Sequence, residues 1–426
     1  MAQLEAVRPV ATSPAEMEAI NEAIATCYQC GTCSATCPTA FAMDYSPRAL
    51  WQLVELGLRD EVLASNTFWM CTACYSCTVR CPRDIKITEM MRSLREVYID
   101  QEIGPLQGGL GGMLEAVAAS RNIANEPNET RLIWSENLPE RPAQLDKRQA
   151  EVLYFIGCVG ALFPQTYAVP QSFVQILGQA GVDYTVLGGE EWCCGYPIYG
   201  AGRKARVKEL AEHNYARLAE SGAKVLVASC PSCYYTWHHL YPEILGRPAP
   251  VEILHSTQFM ARLIEEGRLT LGPVEDVVTY HDPCDLGRKS GVYDAPRQVL
   301  RSIPGLTFAE MAQSGPNSLC CGGGGDIAMY AGDIVAGVAQ RRMKQAEAVG
   351  ARYIVSACQQ CKRTLADGAR KARIRIKPID ITELVLMSVQ NAQAGLQPEA
   401  KPPEKQRAGK PRKWGEPLPA SPAGQG

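Results

Sequence analysis

Eighteen cysteines stand in this chain of 426 residues, and all of them fall into four sets whose spacing suits metal ligation. Cys27, Cys30, Cys33 and Cys37, followed by Pro38, spell C-x2-C-x2-C-x3-C-P; Cys71, Cys74, Cys77 and Cys81, followed by Pro82, spell it again. Three thiolates at these spacings converge on one cubane 4Fe-4S cluster, while the fourth, turned away at the proline, reaches the neighbouring one. One cubane is thus expected on Cys27, Cys30, Cys33 and Cys81, the other on Cys71, Cys74, Cys77 and Cys37. Zinc, the competing metal, takes four ligands in separated C-x2-C pairs and has no need of two identical four-cysteine runs. Cubanes capped by four cysteines leave no open iron, so these two should move electrons. Arg80 and Arg83 flank the second run and are placed to raise its potential, unless they are only exposed charges at a helix end.

The other ten cysteines form two sets of five: Cys158, Cys193, Cys194, Cys230, Cys233, and Cys284, Cys320, Cys321, Cys358, Cys361. EVLYFIGC corresponds to DVVTYHDPC, EEWCCG to NSLCCG and KVLVASCPSC to RYIVSACQQC, at offsets of 126 (158 to 284), 127 (193 to 320) and 128 (230 to 358) residues. So regular a displacement implies two copies of one fold. Five thiolates exceed what one cubane uses, and adjacent cysteines can cap different irons of a larger, open cluster. Gly195 and Gly322 follow the pairs, where a missing side chain would let the backbone pass close to inorganic sulfur. The run Gly322 to Gly325 lacks the Lys-Ser or Lys-Thr of a phosphate cradle, and close approach to a cluster is the better explanation.

These sites need elements to hold them. Ser46 and Pro47 read as the cap and first residue of a helix in which Leu50, Leu53 and Val54 recur at helical spacing, with Gly57 as the stop. A helix therefore separates the two four-cysteine runs. In each repeat an apolar, β-branched run precedes a cysteine and a helix-period stretch follows it, which predicts a mainly parallel sheet with cysteines at the carboxyl ends of strands. The expected organisation begins with a helical domain over 1–100 and a connector over 101–150, with one helix in it, lying over one domain. Repeats over 151–270 and 271–395 follow, then a disordered basic, proline-rich tail over 396–426.

Composition removes several classes. With 43 basic against 45 acidic residues, the chain lacks the footprint of a nucleic-acid binder. The first twenty residues do not read as a secretory signal, and no apolar run is long enough to span a bilayer. The expected location is the cytoplasm, with attachment to the membrane surface through a partner. In that reducing compartment, cysteines imply ligation rather than disulfides.

The five-cysteine pattern, with both CCG triplets, both C-x2-C pairs and YHDPCDLGR at 280–288, resembles the duplicated cysteine-rich CCG domain. Together with the two preceding runs it is similar to the catalytic subunit of heterodisulfide reductase in the form that fuses the ferredoxin-like and catalytic parts. The resemblance covers roughly residues 20–395. It implies an α-helical ferredoxin-like domain followed by two α/β CCG repeats with mainly parallel sheets, related by pseudo-twofold symmetry. It also implies that each five-cysteine set holds a non-cubane 4Fe-4S cluster, the two facing each other so that a disulfide between them accepts one electron from each.

Protons must then reach the departing thiols, and His281, three residues before Cys284, is the positional candidate for donor; a strand-end histidine satisfied by a hydrogen bond is the alternative. His238 and His239 are expected on a helix, and Lys362 and Arg363 are candidates to attract an anionic substrate. No flavin or nicotinamide fingerprint is evident, so electrons should pass to or from a flavoprotein or membrane cytochrome b partner. The competing function is a non-catalytic conduit between a flavoprotein dehydrogenase and a quinone or membrane cytochrome; a zinc scaffold is the third reading.

Overall fold

The computed structural model describes residues 14–397, so most of the tail lies outside the described residues. In the first domain Ser46 Oγ accepts from the Ala49 amide and caps the helix Pro47–Glu55 between the two cysteine runs. That helix buries Leu50, Trp51 and Val54, and Gly57 follows it at φ +72°, a left-handed stop that suits glycine. A longer helix, Ile87–Asp100, packs on Pro14–Ile24 and buries Met91, Leu94 and Val97. Trp69 and Tyr98 meet edge to face at 5.3 Å in this core.

The rest folds as two four-stranded sheets in which every pairing is parallel. In the first, β1 (Val152–Phe155), β2 (Tyr184–Thr185), β3 (Val225–Ala228) and β4 (Glu252–His255) run in the order β2-β1-β3-β4. In the second, β5 (Val277–His281), β6 (Thr307–Phe308), β7 (Tyr353–Ser356) and β8 (Lys377–Asp380) repeat it as β6-β5-β7-β8. β1 is buried along its whole length, as a strand covered on both faces requires.

The repeats clasp each other reciprocally. Helix Ala168–Gln179 of the first packs on Ile381–Gln393 of the second, and Ser256–Glu265 of the first packs on Asp294–Arg301 of the second. A helix early in each copy thus meets the last helix of the other, which is the pattern a pseudo-twofold axis produces.

The stretch between the domains does more than connect them. Its helix Leu110–Ser120 buries Leu110, Met113, Leu114 and Val117, and Trp134 is fully buried. Gly109 N donates to the Met329 carbonyl of the second repeat, and Cys193 N of the first donates to the Arg121 carbonyl. It touches both repeats, which corrects the expectation of a connector lying over one domain.

Candidate metal centre

The four-cysteine runs share an unusual backbone. Gln29 and Gly31 flank Cys30 with φ of 61° and 82°, and Ala73 and Tyr75 flank Cys74 with φ of 49° and 63°. Left-handed residues other than glycine are costly, and their recurrence at the same two places in both runs marks one backbone conformation common to the two. Cys37, Cys71, Cys74 and Cys77 crowd one another. Burial, then Cys74 and Cys71, push the Cys37 thiol up to about 12, and burial, then Cys71, Cys74 and Cys37, push Cys77 up. Burial also raises Cys33, with Cys27 and Cys30 beside it. Arg83 Nε donates to the Thr26 carbonyl at 3.1 Å, which ties the end of the second run beside Cys27. Cys30 is exposed at the surface.

The ten remaining cysteines line one cavity of about 320 Å³. Cys158, Cys230, Cys284 and Cys358 each follow the carboxyl end of a central strand, and the Cys-Cys pairs come in from the loops after β2 and β6. Cys321 Sγ and Cys361 Sγ are 3.3 Å apart, and the thiols of Cys193 and Cys233 hydrogen-bond Cys194 and lower its pKa. Main-chain N–H groups point at the sulfurs: Gly195 to Cys193 at 3.4 Å, Gly322 to Cys320 at 3.2 Å and Cys361 to Cys358 at 3.3 Å. Gln359 reaches across the pseudo-twofold to Ser229 Oγ at 3.0 Å and the Ile156 carbonyl at 3.4 Å.

Each first cysteine has an arginine on its sulfur, buried in the first copy and half-buried in the second, obtained differently in each. Arg131, from the connecting stretch, donates to Cys158 Sγ at 3.2 Å; Arg288, four residues on, donates to Cys284 Sγ at 3.0 Å. Arg131 is also paired with buried Glu191 at 2.8 Å, whose carboxylate accepts from the Ile156 and Gly157 amides at 2.9 Å. The equivalent of Glu191 is Ser318, and Arg288 binds main-chain oxygens of Cys74 and Ser318 at 2.6 and 2.7 Å instead. Arg131 carried no motif signal, because only the fold brings it beside Cys158.

The buried four-cysteine group abuts the second five-cysteine set. The Cys320 thiol hydrogen-bonds Cys74 and holds its pKa well below the ordinary thiol value, and Thr72 Oγ1 is 3.9 Å from Cys320 Sγ. Arg80 spans the same junction, donating to the Pro316 carbonyl and Asn317 Oδ1.

The glycines also serve packing. Gly195 and Gly322 have φ of 86° and 94°, and a Cβ there would strike Val207 or Val338, each on a following helix, at 2.7 and 2.9 Å. On Gly324 and Gly325 a Cβ would meet the Thr72 and Cys71 carbonyl oxygens at 2.6 and 2.2 Å. The glycine run lets one domain lie on the backbone of another.

His281 also differs from a poised imidazolium. It is fully buried, desolvation lowers its pKa, and Nδ1 accepts from Arg342 Nε at 3.1 Å. It stands with Cys321 and Cys361, their ligating atoms all within 4.8 Å of one another. His238 is exposed and His239 half-buried on a π-helical turn, Thr236–Leu240. Lys362 is engaged by Glu383 at 2.6 Å, whereas Arg363 lines the cavity, stacked over Phe163 at 4.4 Å.

All eighteen cysteines are free, and sulfurs so crowded, most of them desolvated and several with N–H donors aimed at them, fit iron–sulfur clusters rather than disulfides. The cysteine-rich CCG domain matches residues 152–237 and 278–366, and the 4Fe-4S dicluster domain matches 23–85. The D subunit of the dihydromethanophenazine:CoB–CoM heterodisulfide reductase of Methanosarcina mazei is 32% identical over 392 residues, covering 84% of this chain and 92% of that one. The EtfAB:quinone oxidoreductase of Syntrophomonas wolfei is 30% identical over 356 residues, 78% of this chain and 48% of that one. A solved structure of a hypothetical protein from Helicobacter pylori shares the fold at TM-score 0.57 and 11% identity, over 89% of this chain and 73% of that one. Among the described residues no helix is long and apolar enough to cross a membrane. The chain is an iron–sulfur oxidoreductase and belongs to the heterodisulfide reductase D-subunit family.

Proposed function

We propose that the protein reductively cleaves a disulfide, or forms one in reverse, in the cavity between the CCG repeats. The observation that carries this reading is that both complete five-cysteine sets face a single cavity between the repeats. Two cubanes, on Cys27, Cys30, Cys33, Cys81 and on Cys71, Cys74, Cys77, Cys37, and two non-cubane clusters on the remaining ten cysteines would supply one-electron chemistry.

The chain's own residues set the conditions. Exposed Cys30 puts the first group within reach of an electron-transfer partner, a flavoprotein or a membrane cytochrome b. Cys74 beside Cys320 gives electrons a short route into the second repeat. Phe163, Pro197 and Pro231 give the cavity apolar walls that exclude water, and Arg363 offers a cation to an anionic substituent of the substrate.

The test is electron paramagnetic resonance of anaerobic, fully loaded protein with and without thiols, alongside disulfide turnover driven by a reduced viologen. A thiol-dependent signal with turnover is expected. Clusters indifferent to thiols, without turnover of a broad disulfide panel, would overturn the reading. The alternative, a conduit between a flavoprotein and quinone, is favoured by one specific observation: the likeness to the EtfAB:quinone oxidoreductase of Syntrophomonas wolfei.

A further inference from the structure

Next to the cysteine-lined cavity lies a second, much smaller one of about 30 Å³, room for a single water. The two share wall residues, among them Tyr196, Gly325 and Asp326. Asp326 Oδ2 is buried without a hydrogen-bond partner, and so is Nη1 of Arg92 on the wall of the small cavity. Orphaned polar atoms on the wall of a water-sized void call for a water in it, because unsatisfied buried groups are otherwise expensive.

The charged groups around Asp326 are committed elsewhere. Arg95 donates to the carbonyl oxygens of Phe68, Trp69, Cys71, Gly200 and Gly325. Lys289 is paired with Asp285 at 3.0 Å and enclosed by the rings of Tyr75, Tyr196 and Tyr235. Asp285 in turn accepts from Tyr196 at 2.7 Å and Ser232 at 2.6 Å. None of these groups forms an ion pair with Asp326. Its backbone is left-handed, φ 59°, directly after the glycine run that seats the second repeat on the first domain. A Cβ on Gly200 would stand 2.9 Å from Oδ2, so a residue without a side chain leaves the carboxyl its place.

We propose that Asp326 is the proton carrier of the cysteine-lined cavity, loaded from the small water-sized cavity on its other side and delivering to sulfur released between the repeats. Burial pushes its carboxyl up to about 7, with Arg95 and Lys289 pulling the other way, so it holds a proton yet can give it up near neutrality. The inference rests on the disulfide reading. Cleaving RSSR′ takes two electrons and two protons: the S–S bond breaks and two S–H bonds form. The electrons come from the external reductant through the first domain. Asp326 supplies the protons one at a time and is reloaded from solvent after each.

The test uses the full chain with its clusters in place and Asp326→Asn, an isostere that tolerates the left-handed backbone. Viologen-driven disulfide turnover should fall in the wild type as pH rises past about 7. In Asp326→Asn kcat should drop at least about tenfold across the range with KM unchanged, the scale of a lost general acid. Gly200→Ala, which displaces the carboxyl without removing it, should shift the profile in the same direction by less. Independently of any disulfide, the midpoint potential of the cavity clusters should depend on pH around neutrality in the wild type and lose that dependence in Asp326→Asn. A variant with the wild-type profile and unchanged pH dependence of potential would overturn the inference. Should the wild type turn over no disulfide, the disulfide reading fails, and the pH dependence of potential alone decides whether Asp326 carries the proton.

Discussion

Arg342 donates from Nε to Nδ1 of His281 at 3.1 Å, and that bond decides which nitrogen of the imidazole carries the proton. Arginine Nε is only ever a donor, so Nδ1 is the acceptor and Nε2 bears the hydrogen. Nδ1 being taken by Arg342, the ring is left to interact with the Cys321 thiol, and it stands beside Cys321 and Cys361. His281 is therefore suited to offering an N–H to cluster sulfur, which stabilises the more negative reduced state. His281→Leu should retain its iron and lower the midpoint potential of the second CCG site, and His281→Gln, which keeps a donor, should fall between it and wild type. Potentiometric titration followed by electron paramagnetic resonance checks both; unchanged potentials would make the histidine purely a packing residue.

Arg131 and Glu191, 1% and 2% exposed, form a buried pair under Cys158. Breaking such a pair from one side strands a charge and costs about 3–5 kcal/mol. Arg131→Met and Glu191→Leu should each destabilise the fold by that order, and the double variant by clearly less than the sum. Denaturant unfolding of the three variants measures the coupling.

His255 and Asp380 occupy the same place in the two repeats, each ending a last strand and capping a last helix through a capping box. Burial lowers the histidine from 6.5 to about 3 and raises the aspartate from 3.8 to about 7. The two act oppositely. The stability His255 contributes is full above 6.5 and is lost as pH falls toward about 3, whereas that of Asp380 is full below 3.8 and is lost as pH rises toward about 7. Between these limits the slopes cancel, each being about 1.4 kcal/mol per pH unit. Asp380→Asn should make the protein lose stability on acidification relative to wild type, and His255→Gln should make it lose stability as pH rises. Unfolding free energies measured at pH values between about 4 and about 7 test the signs.

Arg95 is 2% exposed and joins all three folded units through its five carbonyl contacts. Hydrogen bonds from a charged donor are worth about 1.5–3 kcal/mol each without being additive, so Arg95→Ala should cost about 3 kcal/mol or more. Arg95→Lys should rescue little, since an ammonium cannot reproduce the planar fork. Loss of cooperativity between unfolding of the first domain and of the repeats is the expected signature in calorimetry.

What the chain announced locally was recovered. The C-x2-C runs, the offset landmarks of the repeat, the Ser46–Pro47 helix start and the apolar runs before Cys158, Cys230, Cys284 and Cys358 all depend on neighbours within a few residues. The supporting groups were hidden because their partners are distant. Arg131 meets Cys158 across 27 residues, and Arg95 meets Gly325 across 230. Glycine carried a further ambiguity: Gly322 to Gly325 were legible as a close approach, but only the fold reveals that what approaches is the Cys71–Thr72 backbone.

That approach has a consequence for the duplication itself. Where the second copy has Gly322 to Gly325 after its Cys-Cys pair, the first has Gly195, Tyr196, Pro197 and Ile198, and it meets the ferredoxin-like domain further along, at Gly202, where a Cβ would stand 2.5 Å from Glu96 N. Two near-twins are therefore seated on one domain by different segments, the second through the loop of its own Cys-Cys pair and the first through the turn that follows its next helix.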